Sequence, residues 1–137
     1  MPLTSLERAK QQYLEQQVAS ASPERLLTLL YDRLLVDIDR AAVAQQAADW
    51  PEASAHLTHA QSIVAELSGS LTDVWDGAAD LRALYVHLTG RLIVANVGHD
   101  AAATAESRAI VAPLRDAWHQ AAALTGDAPS AATSATA

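Results

Sequence analysis

From Ser22 to Glu52 the chain reads SPERLLTLLYDRLLVDIDRAAVAQQAADWPE, and this stretch decides the fold. Ser22 can cap a helix, Pro23 stands where no amide partner is missed, and Glu24 favours the positive helix end. Leu27, Leu30, Tyr31, Leu34, Ile38 and Ala41 then recur at helical spacing, which predicts one buried face on a helix reaching about Ala48. Asp49-Trp50-Pro51-Glu52 forms a capping box that opens a second helix at once, with Glu52 at its third position. Almost no loop remains between the two, so they must be antiparallel neighbours.

The same reading extends outward. The second helix carries Ala53, Leu57, Ala60, Val64 and Leu67 and ends near Ser68-Gly69. A third begins around Gly77 and carries Leu81, Leu84, Tyr85, Leu88, Leu92 and Ala95. Gly98 is expected to take the left-handed conformation at its end, and Asp100 to cap a fourth helix. That helix carries Ala109, Ile110, Leu114, Trp118 and Ala121 and stops at Gly126, with Pro113 expected to kink or divide it. The fold class is therefore all-α, an antiparallel up-down-up-down four-helix bundle over residues 22–125. Residues 1–21 form an N-terminal leader, a short capping segment in which Tyr13, Leu14 and Val18 are set among glutamines. Residues 126–137 are mostly Ala, Ser and Thr and are expected to be a disordered tail. No repeat of fixed period is evident beyond the helical spacing.

Composition agrees and excludes much. Among 137 residues there are 31 Ala and 18 Leu but no Phe, so helix formers dominate and strand formers are scarce. Nine Lys and Arg against 16 Asp and Glu give a net charge of −7, with no basic cluster to track a phosphate backbone, which argues against nucleic acid as a partner. The absence of Cys removes disulfides, thiolate chemistry and zinc–thiolate sites. Apolar runs are far too short to insert in a membrane, and the N-terminus has no signal-peptide core, as expected for a cytoplasmic chain.

Catalytic, cofactor and metal chemistry find no support in the residue pattern. His56 and His59 lie three apart near Glu52, but facing Glu-x-x-His pairs are missing. His59 is followed by Ala60-Gln61-Ser62 with no Lys nearby, a poor setting for phosphotransfer. The glycines stand alone, so no phosphate loop exists. Arg25, Arg33 and Arg40 with Asp32, Asp37 and Asp39 read as a solvated, salt-bridged helix face. The informative feature is an apolar excess. Beyond its core face the first helix carries Leu26, Leu29, Val36 and Val43, and the third carries Val86, Ile93 and Val97. Either these helices are broadly buried, or the extra stripes await the amphipathic helices of a partner. Two other classes stand as alternatives: a histidine phosphotransfer or other signalling bundle, and a structural bundle closed as a homodimer through the same stripes.

A set of fragments resembles one family in order. Tyr13, then Gln17-Val18, Ser20-Ala21-Ser22-Pro23-Glu24-Arg25-Leu26-Leu27 and Leu29-Leu30-Tyr31-Asp32 look like the opening of FliS, the bacterial flagellin export chaperone. Ala60-Gln61, Leu84-Tyr85, Ala95-Asn96 before Asp100, and Leu114-Arg115-Asp116-Ala117-Trp118 continue the likeness. Arg33-Leu34 and Val86-His87 depart from the usual family residues. The resemblance implies a non-enzymatic chaperone that binds the disordered C-terminal segment of flagellin and keeps it from polymerising. It also implies delivery to the export apparatus, with the export gate or another assembly factor as a second partner. Carried over, Tyr13 and Val18 would be the capping leader, with Tyr31 and Asp32 the surface by the groove and Leu84-Tyr85 the third-helix contribution. On the residue pattern, Leu14 belongs to the leader, and Leu26, Leu29, Val36, Val86, Ile93 and Val97 would line the groove.

Overall fold

The helices form where capping, spacing and turn chemistry agree. The computed structural model describes residues 5–9, 23–72 and 75–124, and among them there are five helices and no strand. A short helix at residues 5–9 (α1) precedes α2 (Pro23–Gln46), α3 (Trp50–Gly69), α4 (Ala78–Val97) and α5 (Ala101–Leu124). The Ser22 cap, the leader residues Tyr13, Leu14 and Val18, and the tail lie outside the described residues.

Two tight turns join the long helices, and they are built alike. The Asp49 amide donates to the Ala44 carbonyl at 2.8 Å, and the Asp100 amide donates to the Ala95 carbonyl at 3.0 Å. Both close the wide ring of a Schellman-type C-cap, whose penultimate residue must be left-handed. That residue is Ala48 (φ 53°) in the first turn and His99 (φ 50°) in the second. This corrects the expectation for Gly98, which has an ordinary φ of −92°. The ring closes one residue later than the glycine suggested. Each turn then passes directly to an N-cap: Asp49 accepts from the Glu52 amide at 3.3 Å, and Asp100 from the Ala103 amide at 3.1 Å. The turns lie at one end of the molecule, where Trp50 stacks on His99 with ring centroids 4.1 Å apart. A structural repeat thus exists at the turns that residue similarity did not reveal.

α2 packs against α3 and α5, and α4 packs against the same two. Their buried faces supply Tyr31, Leu34, Ile38 and Ala41, then Leu57, Ala60, Val64 and Leu67, then Leu81, Tyr85, Leu88 and Leu92. α2 and α4 meet across this interior, where the Tyr31 and Tyr85 hydroxyls lie 2.5 Å apart and the Gln45 amide donates to the Ala95 carbonyl at 3.3 Å. α5 departs from the expected phase. Ala109 is exposed, and the buried positions are Ala103, Thr104, Ser107, Val111 and Ala122. Small polar groups were overlooked as core because their hydroxyls are satisfied within the helix: Ser107 donates to the Ala103 carbonyl at 2.9 Å. α5 runs unbroken through Pro113, so the helix is not divided. Pro113 and Ala109 both face solvent, and water can serve the carbonyl that the missing amide leaves.

The acids of α2 do not form a solvated face paired only with its own arginines. Asp37 is fully buried, and its carboxylate meets Nδ1 of His59 on α3 and lies 3.2 Å from Nε of Arg33. Asp32 accepts from Arg115 Nε at 2.6 Å and lies 2.7 Å from Nε2 of His119. Asp39 accepts from Arg108 Nε at 2.7 Å. Three acids on one helix therefore reach two neighbouring helices. Removing any partner of buried Asp37 would leave a charge poorly compensated.

Candidate functional site

The exposed apolar residues of α2 and α4 form two stripes. On α2, Leu29, Val36 and Val43 recur every seven residues with Leu26 beside them, all exposed. On α4, Val86 (69% exposed), Ile93 (44%) and Val97 (79%) line up with exposed Ala79, Ala83 and Gly90, with Val94 adjacent. A side chain built at Gly90 would meet nothing within 4 Å, so this stripe is open to solvent along its length.

The stripes do not face each other. Tyr31 and Tyr85 point across the interior; by helical phase the α2 stripe lies on the far side of its helix from Tyr31, while Val86 and Ile93 lie about a quarter turn from Tyr85. The two stripes sit on helices that meet across the interior rather than side by side. Tyr31 and Tyr85 are likewise core residues, 0% and 3% exposed, and cannot present a surface by themselves. Burial pushes the phenol pKa of both above the ordinary value, which keeps them neutral and hydrogen-bonded to each other. Trp118 stacks on Tyr31 at 6.4 Å. Leu84 is half-buried against the core, and Asp32 is occupied by Arg115 and His119. Leu26, Leu29, Val36, Val86, Ile93 and Val97 are the expected site residues that remain exposed.

Concavities flank these faces. A cleft of about 550 Å³ runs between the start of α2 and the end of α3, lined by Pro23, Leu26, Leu27, Leu30, Glu66 and Ser70. Another of about 570 Å³ lies near the first turn, with a floor of Val43, Ala44 and Ala47. Between α3 and α4 a smaller one of about 240 Å³ is bordered by Val64, Tyr85, Val86 and Thr89.

Sequence reasoning missed the Asp37–His59 contact. The signal was present, since Asp37 lies three residues after Leu34 and four before Ala41, in phase with the core face. Val94 and Gly90 were missed because neither disturbs the pattern of the helix. Among the described residues no cluster of three or more His, Cys, Asp or Glu could hold a metal ion. Nor is any helix among them long and apolar enough to cross a membrane.

Capped helices around one apolar interior, with bare apolar faces turned outward, define a helical protein whose chemistry is binding by area. The family model for the flagellar protein FliS matches residues 6–125, and the chain belongs to the FliS family. It is 34% identical over 109 residues to the flagellar secretion chaperone FliS of Bacillus subtilis, covering 80% of this chain and 82% of that one. The flagellar secretion chaperone FliS of Escherichia coli is 30% identical over 112 residues, covering 78% and 81%. FliSB of Pseudomonas aeruginosa, also a flagellar secretion chaperone, is 27% identical over 118 residues, covering 85% and 94%.

Proposed function

We propose that this chain is a non-enzymatic export chaperone of the bacterial cytoplasm. It binds the disordered C-terminal segment of flagellin, prevents its premature polymerisation and delivers it to the flagellar export apparatus. The observation that carries this reading is the pair of exposed apolar stripes on α2 and α4, two helices that meet across the interior. A partner that touches both must be long and must wrap, which suits a segment without structure of its own. Such a segment meets its ordering cost on binding and needs extended apolar area to offset it. Membership of a family whose relatives are named flagellar secretion chaperones supports the same reading.

The reading includes an antiparallel up-down-up-down arrangement of the four long helices, supported by the tight turns and by the pairing of α2 and α4 each with α3 and α5. It includes residues 1–21 as a leader whose Tyr13, Leu14 and Val18 cover part of the site, and residues 126–137 as a tail outside it. A component of the export gate or another assembly factor is the second partner that delivery requires. The test is calorimetric titration of the full chain with the C-terminal segment of flagellin. The expected result is a saturable one-to-one complex with a negative heat-capacity change. No binding, or binding unaffected when both Val36 and Ile93 are changed to Asp, would overturn it.

A further inference from the structure

A fourth concavity lies at the end of the body opposite the two turns. It has a volume of about 220 Å³ and is walled by Leu27, Leu67, Leu71, Trp75, Leu81, Tyr85 and Trp118, with Ser70 and Thr72 at its edge. We infer that this pocket is an anchor site for one apolar side chain, of leucine to phenylalanine size, carried by the bound flagellin segment; this deepens the chaperone reading and rests on it.

Size sets the class of ligand. Pockets for whole small molecules start at roughly 300 Å³, whereas a cavity of about 150 Å³ already takes benzene. One side chain fits and a drug-sized ligand does not. The lining sets the polarity. The Tyr85 hydroxyl is occupied by that of Tyr31, and Ser70 Oγ donates to the Leu67 carbonyl at 3.0 Å. Most of the lining is aliphatic or aromatic, so a charged group would lose its hydration there with little compensation. The occupant is argued from continuity. The pocket shares Leu27 and Ser70 with the 550 Å³ cleft between α2 and α3, so a chain lying in that cleft passes the pocket mouth.

One wall depends on a glycine. A Cβ built at Gly77 would come within 2.6 Å of the Trp75 ring, so only glycine lets the indole keep this position in the wall. Gly77 itself has φ −83° and ψ −2°, which alanine adopts without strain. Gly77→Ala therefore displaces Trp75 and reshapes the pocket while leaving the helix start intact.

The experiment uses the full chain and toluene as probe. Saturable shifts in the Leu67 and Leu81 methyl resonances, with a matching change in tryptophan fluorescence, are expected for the parent protein and not for Gly77→Ala. Trp75→Ala, which removes the wall without straining the backbone, serves the same purpose should the first variant lose helicity. Addition of the flagellin segment should then displace toluene, and Gly77→Ala should weaken that segment roughly tenfold, the scale of one lost apolar anchor. Parent protein that shows no saturable toluene shift overturns the pocket. A flagellin segment that binds without moving the pocket resonances overturns the anchor role alone, and one that fails to bind overturns the chaperone reading with it.

Discussion

The hairpin α2–α3 and the hairpin α4–α5 share one turn and little else. In both, a left-handed residue closes the first helix and an aspartate caps the second within two residues. The helices they join are held differently. α2 sends Asp37 to α3 and Asp32 and Asp39 to α5, and its outer stripe runs between charged neighbours. α4 and α5 are joined by a partly exposed ion pair, Arg91 with Glu106 at 2.9 Å, and the outer stripe of α4 is itself uncharged, with Asp80, Arg82 and His87 only at its margins. The difference separates two kinds of constraint. Backbone rules fix the turn and repeat it, whereas the faces diverge according to what each must hold.

The largest expected effect comes from charging the bare face. Ile93→Asp should weaken the flagellin segment by roughly 100-fold, about 3 kcal/mol, because a carboxylate would be desolvated against apolar surface. Stability should move by less than ~0.5 kcal/mol, as for most surface changes. Val36→Asp on α2 should weaken binding less, because that narrower stripe already adjoins Arg33 and Arg40. Titration calorimetry and urea unfolding check both. An Ile93→Asp protein without helical circular dichroism would place Ile93 in the core, and equal losses at both sites would erase the distinction between the faces.

The next effect tests what lies between paired helices. Ser107→Leu forces a larger side chain into a fully buried position on α5 and should destabilise by about 2 kcal/mol. Asp37→Leu removes a buried carboxylate whose partners His59 and Arg33 are about half exposed and can turn to water. Its cost should stay within about 1 kcal/mol and its sign can be favourable, since hydrophobic replacements of buried ion pairs often are. Urea midpoints at constant m-value decide. A severe loss at Asp37 would show that the contact specifies the α2–α3 geometry.

These cases also mark how far sequence reading reaches. Helix starts, the tight connections, most core positions of α2, α3 and α4 and the excess apolar residues were legible, because capping and period act through residues close in the chain. The placement of the stripes on diagonal helices was not, since it follows from which helices meet across the interior, a property of the assembled body. α5 was misread at Ala109 because its core is small and partly polar, and periodicity weights large apolar residues. Asp37 was misread because charge was weighed above phase. The family fragments carried the functional reading, and they could do so only because several weak matches occur in one order.

A smaller effect lies at the tyrosine contact, where the two hairpins meet. Burial raises both phenol pKa values above the ordinary 10.0. The unfolded chain therefore releases these protons first as pH rises, so it binds fewer protons than the native state above pH 10. The stabilisation is fully present below that pH and is lost progressively above it. Alkaline unfolding should thus be steep, and Tyr31→Phe combined with Tyr85→Phe should flatten it at a cost of about 1 kcal/mol near neutrality, the net worth of one hydrogen bond. A double variant with the parental alkaline slope would assign that slope to other groups.

The smallest effect returns to the turns themselves. Ala48 and His99 both hold a left-handed backbone, which costs an L-residue roughly 1–2 kcal/mol and glycine almost nothing. Part of that gain is lost again because glycine is freer in the unfolded chain. Ala48→Gly should accordingly raise stability by up to about 1 kcal/mol. His99→Gly gains the same backbone relief but removes the ring that lies 2° from parallel on Trp50, a contact on the scale of about 0.5–1.5 kcal/mol for aromatic pairs. Its net effect should be near zero. Because the two turns share their hydrogen bonds, the difference between the variants isolates the stack, and urea midpoints can measure it. Equal gains at both positions would mean that the Trp50–His99 contact adds no stability, and a larger gain at His99 would mean that the stack is strained rather than favourable.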